Sequence, residues 1–323
     1  MKPAVLDYPK SNNLGDYVQT IAAKMLLSED PISIDREKLN SYSGPSACLI
    51  MNGWFMENPK NWPPSLQITP LFVSFHINPT VAKQMTSPVS IAYMKKYEPI
   101  GCRDQYTTEL LIRKGIKAYF SGCLTLTLNR ENFIKNTNQP KSILVISVLE
   151  RLKPKRVRWK NNCNLVILGS KWLKYPFKNI KYQRAMRRVD RFLMTQPESV
   201  INRSQIISNP NISPSQKETL AIDQLQAIAS AKLVITSRIH SALPAIAMGI
   251  PVLFLSDGLS HINQSSRLKG MESFLRMEKT KGLKNIKLEH ILKPKIGKEI
   301  IATSKIGKEI IATLEKAVRT RFQ

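Results

Sequence analysis

Acidic residues are scarce in this chain: 23 Asp and Glu stand against 49 Lys and Arg in 323 residues, a formal net charge of +26. Cysteine is scarcer still. The four thiols, Cys48, Cys102, Cys123 and Cys163, show no CxxC or CxxH spacing, which argues against a zinc ribbon or a dithiol redox pair and leaves them as small buried side chains. No run approaches the roughly 20 apolar residues of a membrane-spanning helix. The first ten residues hold Asp7 and Pro9 and no apolar stretch, so no secretory leader is expected, and a reducing cytoplasm is the expected location.

What is present is positive charge, and it is uneven. Through residue 138 there are 15 basic and 11 acidic residues, leaving 34 and 12 for the remainder. Such a field favours anionic partners: phosphorylated substrates, acidic glycans, lipid headgroups or nucleic acid. RNP-type aromatic segments and zinc fingers are missing, so nucleic acid is not the expected partner. Contact of the positive second half with an anionic membrane surface is the expectation that lipid chemistry adds.

The length exceeds that of a single growing core, so two domains with a cleft between them are expected. Ala4–Leu6 leads through Asn12-Asn13-Leu14-Gly15-Asp16 into Val18, Ile21, Ala22, Met25 and Leu26 at helical spacing. Short apolar runs at Cys48–Met51, before Asn52-Gly53-Trp54, and at Leu71–Phe75, before His76, read as buried parallel strands. Ile100–Cys102 precedes a helix through Leu111, and Ala118–Phe120 leads to Ser121-Gly122-Cys123. The polar stretch Asn129–Pro140 reads as a linker.

Beyond it the pattern restarts. Ser142–Val148 and Asn164–Leu168 read as strands, Arg151–Lys160 fits no element, and a helix is expected from Gln216 to Ala231. A compressed βαβ unit follows: strand Leu233–Thr236, turn Ser237–His240, helix Ala242–Met248, strand Pro251–Leu255. The division is therefore 1–135, 136–290 and a helical extension at 291–323. Within the extension, residues 295–303 recur identically at 305–313, a ten-residue period that turns the second copy about 80° off the first's face.

The loop opening the βαβ helix carries the chemistry. A first helical turn offers free N–H groups to an anion. Ser237 sits where an N-cap would, Arg238 adds a forked cation, and His240 adds a group that exchanges a proton near neutral pH. Pro244 requires that the helix start near Ser241 or bend in its first turn. Alone, Ser-Arg-Ile-His is a weak signal, because such pairs also serve structural roles. Three first-half loops, at Asn13–Asp16, Gly101–Asp104 and Ser121–Cys123, offer polar groups to the same cleft.

These segments in this order, Asn13–Asp16, Ile100–Asp104 with Thr107, Ser121–Leu126, Val234–Pro244 through Gly249–Val252, and more weakly Arg267–Met271, resemble the polysaccharide pyruvyl transferase family over most of the chain. The resemblance implies an α/β fold of two Rossmann-like lobes facing a cleft, similar to GT-B glycosyltransferases. It also implies transfer of pyruvate from phosphoenolpyruvate to a sugar, polysaccharide or lipid-linked, as a ketal. Arg238 and His240, with Ser237 and Ile239 in the same segment, look like the donor-binding and proton-donating residues, and Arg103 is similar to the first-lobe arginine of the anion clamp. Asp16 is placed as a catalytic group. Asn13, Gly15, Asn52, Trp54, His76 and Gly122 are placed on the acceptor side or along the cleft, although His76 reads first as a structural histidine and Trp54 equally as a core or lobe-interface side chain. No metal and no cofactor beyond phosphoenolpyruvate as co-substrate is expected. The rival readings are a glycosyltransferase with a nucleotide-sugar donor and a non-catalytic glycan- or anion-binding relative.

Overall fold

A computed structural model describes residues 1–134, 142–154, 165–209, 211–292 and scattered positions from 312 to 321. Residues 135–140 of the expected linker, residues 155–160 of the basic span, Cys163 and all but Ala312 of the duplicated segment lie outside the described residues.

The chain begins with β1 (Lys2–Asp7), α1 (Leu14–Lys24), β2 (Ile32–Asp35), β3 (Ala47–Phe55) and β4 (Ile68–Ile77). Short helices α2 (Ala82–Met85) and α3 (Pro88–Lys95) precede β5 (Ile100–Cys102), α4 (Gln105–Arg113) and β6 (Ala118–Phe120). These strands form one parallel sheet in the order β2-β1-β3-β4-β5-β6. The second half supplies β7 (Ser142–Ile146), α5 (Leu165–Met194), β8 (Ser199–Arg203), α6 (Pro214–Ala229) and β9 (Leu233–Thr236). It continues with α7 (Ile239–Ala247), β10 (Val252–Leu255), α8 (Ile262–Leu268), β11 (Met277–Glu278) and α9 (Leu288–Leu292). A second parallel sheet results, in the order β11-β10-β9-β7-β8.

Period-two alternation explains how both faces of each sheet are buried. In β1, Val5 points to one core while Ala4 and Leu6 point to another. In β7, Leu144 and Ile146 join Val5's cluster while Ile143 and Val145 face α5. That shared cluster runs through α1, α6 and α7, so the lobes are joined by a continuous apolar core beneath the cleft. Polar links reinforce it: the buried Lys217 ammonium donates to the carbonyls of Pro9 at 2.7 Å and Ser11 at 3.1 Å, and the Leu14 amide donates to the Gln205 carbonyl at 2.9 Å.

Two expectations for elements are corrected. The run Leu165–Leu168 opens a helix of 30 residues rather than forming a strand; a short apolar run has no periodicity to separate the two. The βαβ helix begins at Ile239, with Arg238 rather than Ser237 as its N-cap, and Pro244 lies inside it. The strand geometry of β9 turns Ser237 sideways: its hydroxyl donates to the Leu255 carbonyl at 2.7 Å and accepts from the Leu149 amide at 3.2 Å, tying three loops together.

Candidate active site

In open parallel sheets ligands bind beyond the carboxyl ends of the strands, where the strand order reverses. Here the reversals fall between β1 and β3 in one sheet and between β7 and β9 in the other. The loops after β1, β7 and β9 meet at these points. Between them lies a cleft lined by Asn13 from the first half and by Arg151, Gln205, Ser237 to His240, Gln264 and Arg267 from the second, together with the apolar Phe254, Leu259 and Leu268.

Asn13 caps α1, accepting from the Gly15 amide at 3.2 Å, and its carbonyl oxygen also accepts from Gln205 Nε2 at 2.9 Å. Gln205 in turn accepts from Ser241 Oγ at 2.5 Å. This latch presses α7 onto α1. A methyl group on Gly15 would lie 2.4 Å from Gln205 Nε2 and 2.9 Å from His240 Cβ, so the close approach of the two segments requires glycine. Asp16, one residue on, accepts from Ser11 Oγ at 2.5 Å, and its charge offsets the burial that lowers Arg238 and Arg267.

His240 is buried, and its Nε2 has no hydrogen-bond partner. Burial first, then the charge of Arg103 and of Arg267, holds its pKa well below the ordinary imidazole value, so the ring is neutral in the empty site. Arg103 is fully buried on the opposite lobe, where its Nη1 reaches Gln19 Oε1 at 3.5 Å and its Nε stands 3.7 Å from Asp104 Oδ2. Asp104 caps α4 through the Thr107 amide at 2.9 Å and accepts from or shares a proton with His76 Nδ1 at 2.6 Å. Burial, helped by Arg103 and opposed by Asp104, holds His76 down to about 4, so the pair is a neutral imidazole on an ionised carboxylate.

Arg238 pairs with Glu150. Arg267 was quoted above only as a weak echo of the family pattern, and the structure brings it into the cleft. Burial and repulsion from Arg103 pull it down to about 9, and its guanidinium carbon stands 5.4 Å from the centre of the Trp54 ring. Trp54 does not line the cleft itself and touches it only through this contact with Arg267. Among the described residues, Arg103 Nε and Nη2, Arg238 Nε, His240 Nε2 and Arg267 Nε are buried without a hydrogen-bond partner, as is Trp54 Nε1 beside Arg267. Buried donors are ordinarily satisfied, and oxygens of an anion would satisfy these.

The other expected residues have mainly structural partners. Asn52 donates to the Gln19 carbonyl at 3.2 Å, with its own side-chain oxygen unpartnered. Gly122, at φ +73°, gives its carbonyl to the hydroxyls of Ser74 at 2.9 Å and Ser121 at 3.3 Å. Gln205 and Arg151 carried no signal as isolated residues, although Arg151 follows β7 at the strand-order reversal, where topology marks a ligand loop. Among the described residues, no group of three or more His, Cys, Asp or Glu is arranged to hold a metal ion.

A family model described as polysaccharide pyruvyl transferase matches residues 13–258, from the α1 cap through the α7 loop and β10. The chain belongs to that family. Among solved structures, this pyruvyl transferase family member is similar to the uncharacterized protein KP1_0663 from Klebsiella pneumoniae, with 12% identity, TM-score 0.44, and 85% of this chain and 90% of that one covered. It is also similar to the UDP-GlcNAc 2-epimerase of Methanocaldococcus jannaschii, with 12% identity, TM-score 0.39 and coverages of 91% and 93%. A third is the wall teichoic acid polymerase TagF, with 10% identity, TM-score 0.42 and coverages of 100% and 90%. No curated protein matches the chain significantly.

Proposed function

We propose that this chain transfers the pyruvyl group of phosphoenolpyruvate to two hydroxyls of a polysaccharide sugar, closing a ketal and releasing phosphate. The observation that carries the reading is the set of unpartnered donors on Arg238, Arg267 and His240, which line one opening, with the unpartnered donors of the buried first-lobe Arg103 close enough for its charge to act on His240 and Arg267. A small ligand with a carboxylate at one end and a phosphate at the other fits such a set, because each anionic group takes forked or paired N–H donors.

The reaction needs an acid at carbon. Protonating the methylene carbon of the enol phosphate makes the adjacent carbon electrophilic, and a sugar hydroxyl adds there. The carbon–oxygen bond to phosphate then breaks as the second hydroxyl closes the ring. One hydroxyl proton replaces the one given to the methylene, and the other leaves with phosphate. His240 is the acid. It is neutral in the empty site, and the donor's negative charge raises its pKa by opposing the arginines that hold it down. Asp16, held by Ser11, is assigned as the group that takes up a hydroxyl proton. Arg103, Arg238 and Arg267 hold charge through both steps.

Phosphate release from phosphoenolpyruvate in the presence of the acceptor glycan tests the assignment. His240→Gln and Arg238→Ala are each expected to lose roughly 10²-fold or more. Undiminished release in both would remove it. Thermal-shift titration with phosphoenolpyruvate against nucleotide sugars separates this donor from the glycosyltransferase reading, since a ligand at 100 times its Kd adds about 2.7 kcal/mol.

A further inference from the structure

The crossover helix α5 is longer than its place in the fold requires. It connects the adjacent parallel strands β7 and β8, each of five residues, which span about 17 Å. A helix of 30 residues is about 45 Å long. Among the described side chains, Ala185, Val189 and Phe192, in the C-terminal half, pack on the sheet. One turn further out, only Tyr182 packs against that cluster.

The overhanging part is not polar. Trp172, Leu173 and Phe177 are 72%, 71% and 75% exposed, and Ile180 is 48% exposed. At 100° per residue these four fall within an arc of about 140°. Lys174, Lys178 and Lys181, all exposed, follow on round the helix from one edge of that arc, and Tyr175, Asn179 and Tyr182 are half-buried. From 171 to 191 the sequence has eight Lys or Arg and a single acid, Asp190. Among the described residues no helix is long and apolar enough to cross a membrane. An apolar arc with an aromatic pair, bordered by lysines and free of acids, is the pattern of a helix lying in the headgroup layer of a bilayer.

We propose that the exposed stretch of α5 from Trp172 to Lys181 docks this protein on an anionic lipid surface, with Trp172 and Phe177 entering the headgroup layer and the lysines reading its charge. Charge complementarity selects this occupant: a second copy would bring the same lysines against one another, and a neutral apolar partner would leave them unanswered. The inference stands apart from the identity of the donor, because no residue of the cleft takes part in it.

Sedimentation of the full-length protein with vesicles at about 0.15 M ionic strength tests it. Wild type is expected to partition onto phosphatidylcholine vesicles containing phosphatidylglycerol and not onto phosphatidylcholine alone. Trp172→Ala with Phe177→Ala is expected to weaken partition roughly tenfold or more, and Lys174→Gln with Lys178→Gln and Lys181→Gln about 100-fold. Both variants alter exposed side chains, and circular dichroism and Tm unchanged from wild type would show that the fold is intact. Equal partition of wild type and variants, or no partition of wild type on the anionic vesicles, overturns the proposal. So does loss of a dimer, or of oligonucleotide binding, in the aromatic variant while vesicle binding is retained.

Discussion

Substituting Gly15 by alanine is a small change with a calculable consequence. The added methyl would sit 2.4 Å from Gln205 Nε2 and 2.9 and 3.0 Å from Cβ and Nδ1 of His240. Ordinary contact begins near 3.5 Å, so something must move by about 1 Å. Gln205 is poorly placed to yield: it is 2% exposed, donates to Asn13 and accepts from Ser241. His240 Cβ is fixed to the α7 backbone, so α1 and α7 must part. Overpacking of this kind costs about 1–3 kcal/mol, and a 1 Å displacement of a reacting group costs about 10²-fold in rate. Differential scanning calorimetry and phosphate release from phosphoenolpyruvate should thus show a lower Tm together with a kcat reduced about 100-fold. Adding Gln205→Ala to Gly15→Ala removes the shorter clash and should restore part of the lost stability. Unchanged Tm and turnover within twofold of wild type would refute the contact on which the arrangement of the two lobes at the site rests.

Arg267→Met is expected to raise the KM for phosphoenolpyruvate roughly 10- to 100-fold, the worth of a charge-assisted hydrogen bond, in steady-state kinetics. The Tm of the empty protein should not fall as it does in Gly15→Ala, because the lost cation is one that Arg103 repels. For pH, His76 and His240 are held below the ordinary value in the folded protein, so the unfolded chain binds more protons in the window from about 6.5 down towards 4. Stability is therefore present above that window and lost as pH falls through it, by up to about 1.4 kcal/mol per pH unit for each histidine that stays neutral; denaturant melts at stepped pH measure this, and His240→Gln should flatten the slope. Donor binding should take up protons near neutral pH, seen by calorimetry in two buffers of different ionisation enthalpy, and no uptake would contradict the role given to His240.

Much of the architecture could be read from local pattern. The loops at Asn13–Asp16, Arg103-Asp104 and Ser237–His240 each follow a short apolar strand, and that order alone predicts parallel sheets with ligand loops at one end. Patterns of this kind cannot tell which loops meet. Gln205 is an isolated polar residue after β8, and only the pairing of β7 with β8 carries it to Asn13. Arg267 and Trp54 are over 200 positions apart in the chain, and no spacing rule joins them. Ser237 was legible as a hydroxyl near a helix start but not as a clamp on Leu149 and Leu255, because that depends on the ends of two neighbouring strands. The α5 error has a different origin: Leu-Val-Ile-Leu suits either element, and the stripe at helical spacing that declares a helix, Tyr182, Ala185, Val189 and Phe192, lies well beyond it in the chain.

Glu150 gives Arg238 a resident counter-ion when the cleft is empty, and Ser147, which donates to Glu150, also accepts from the Gln205 amide. An arriving anion must therefore compete with a carboxylate already in place, which tempers how tightly the pocket grips it. The same competition works at the end of the cycle. In the proposed reaction Glu150 would retake the guanidinium as phosphate departs, so a cleft this rich in arginine need not become a trap for its own product.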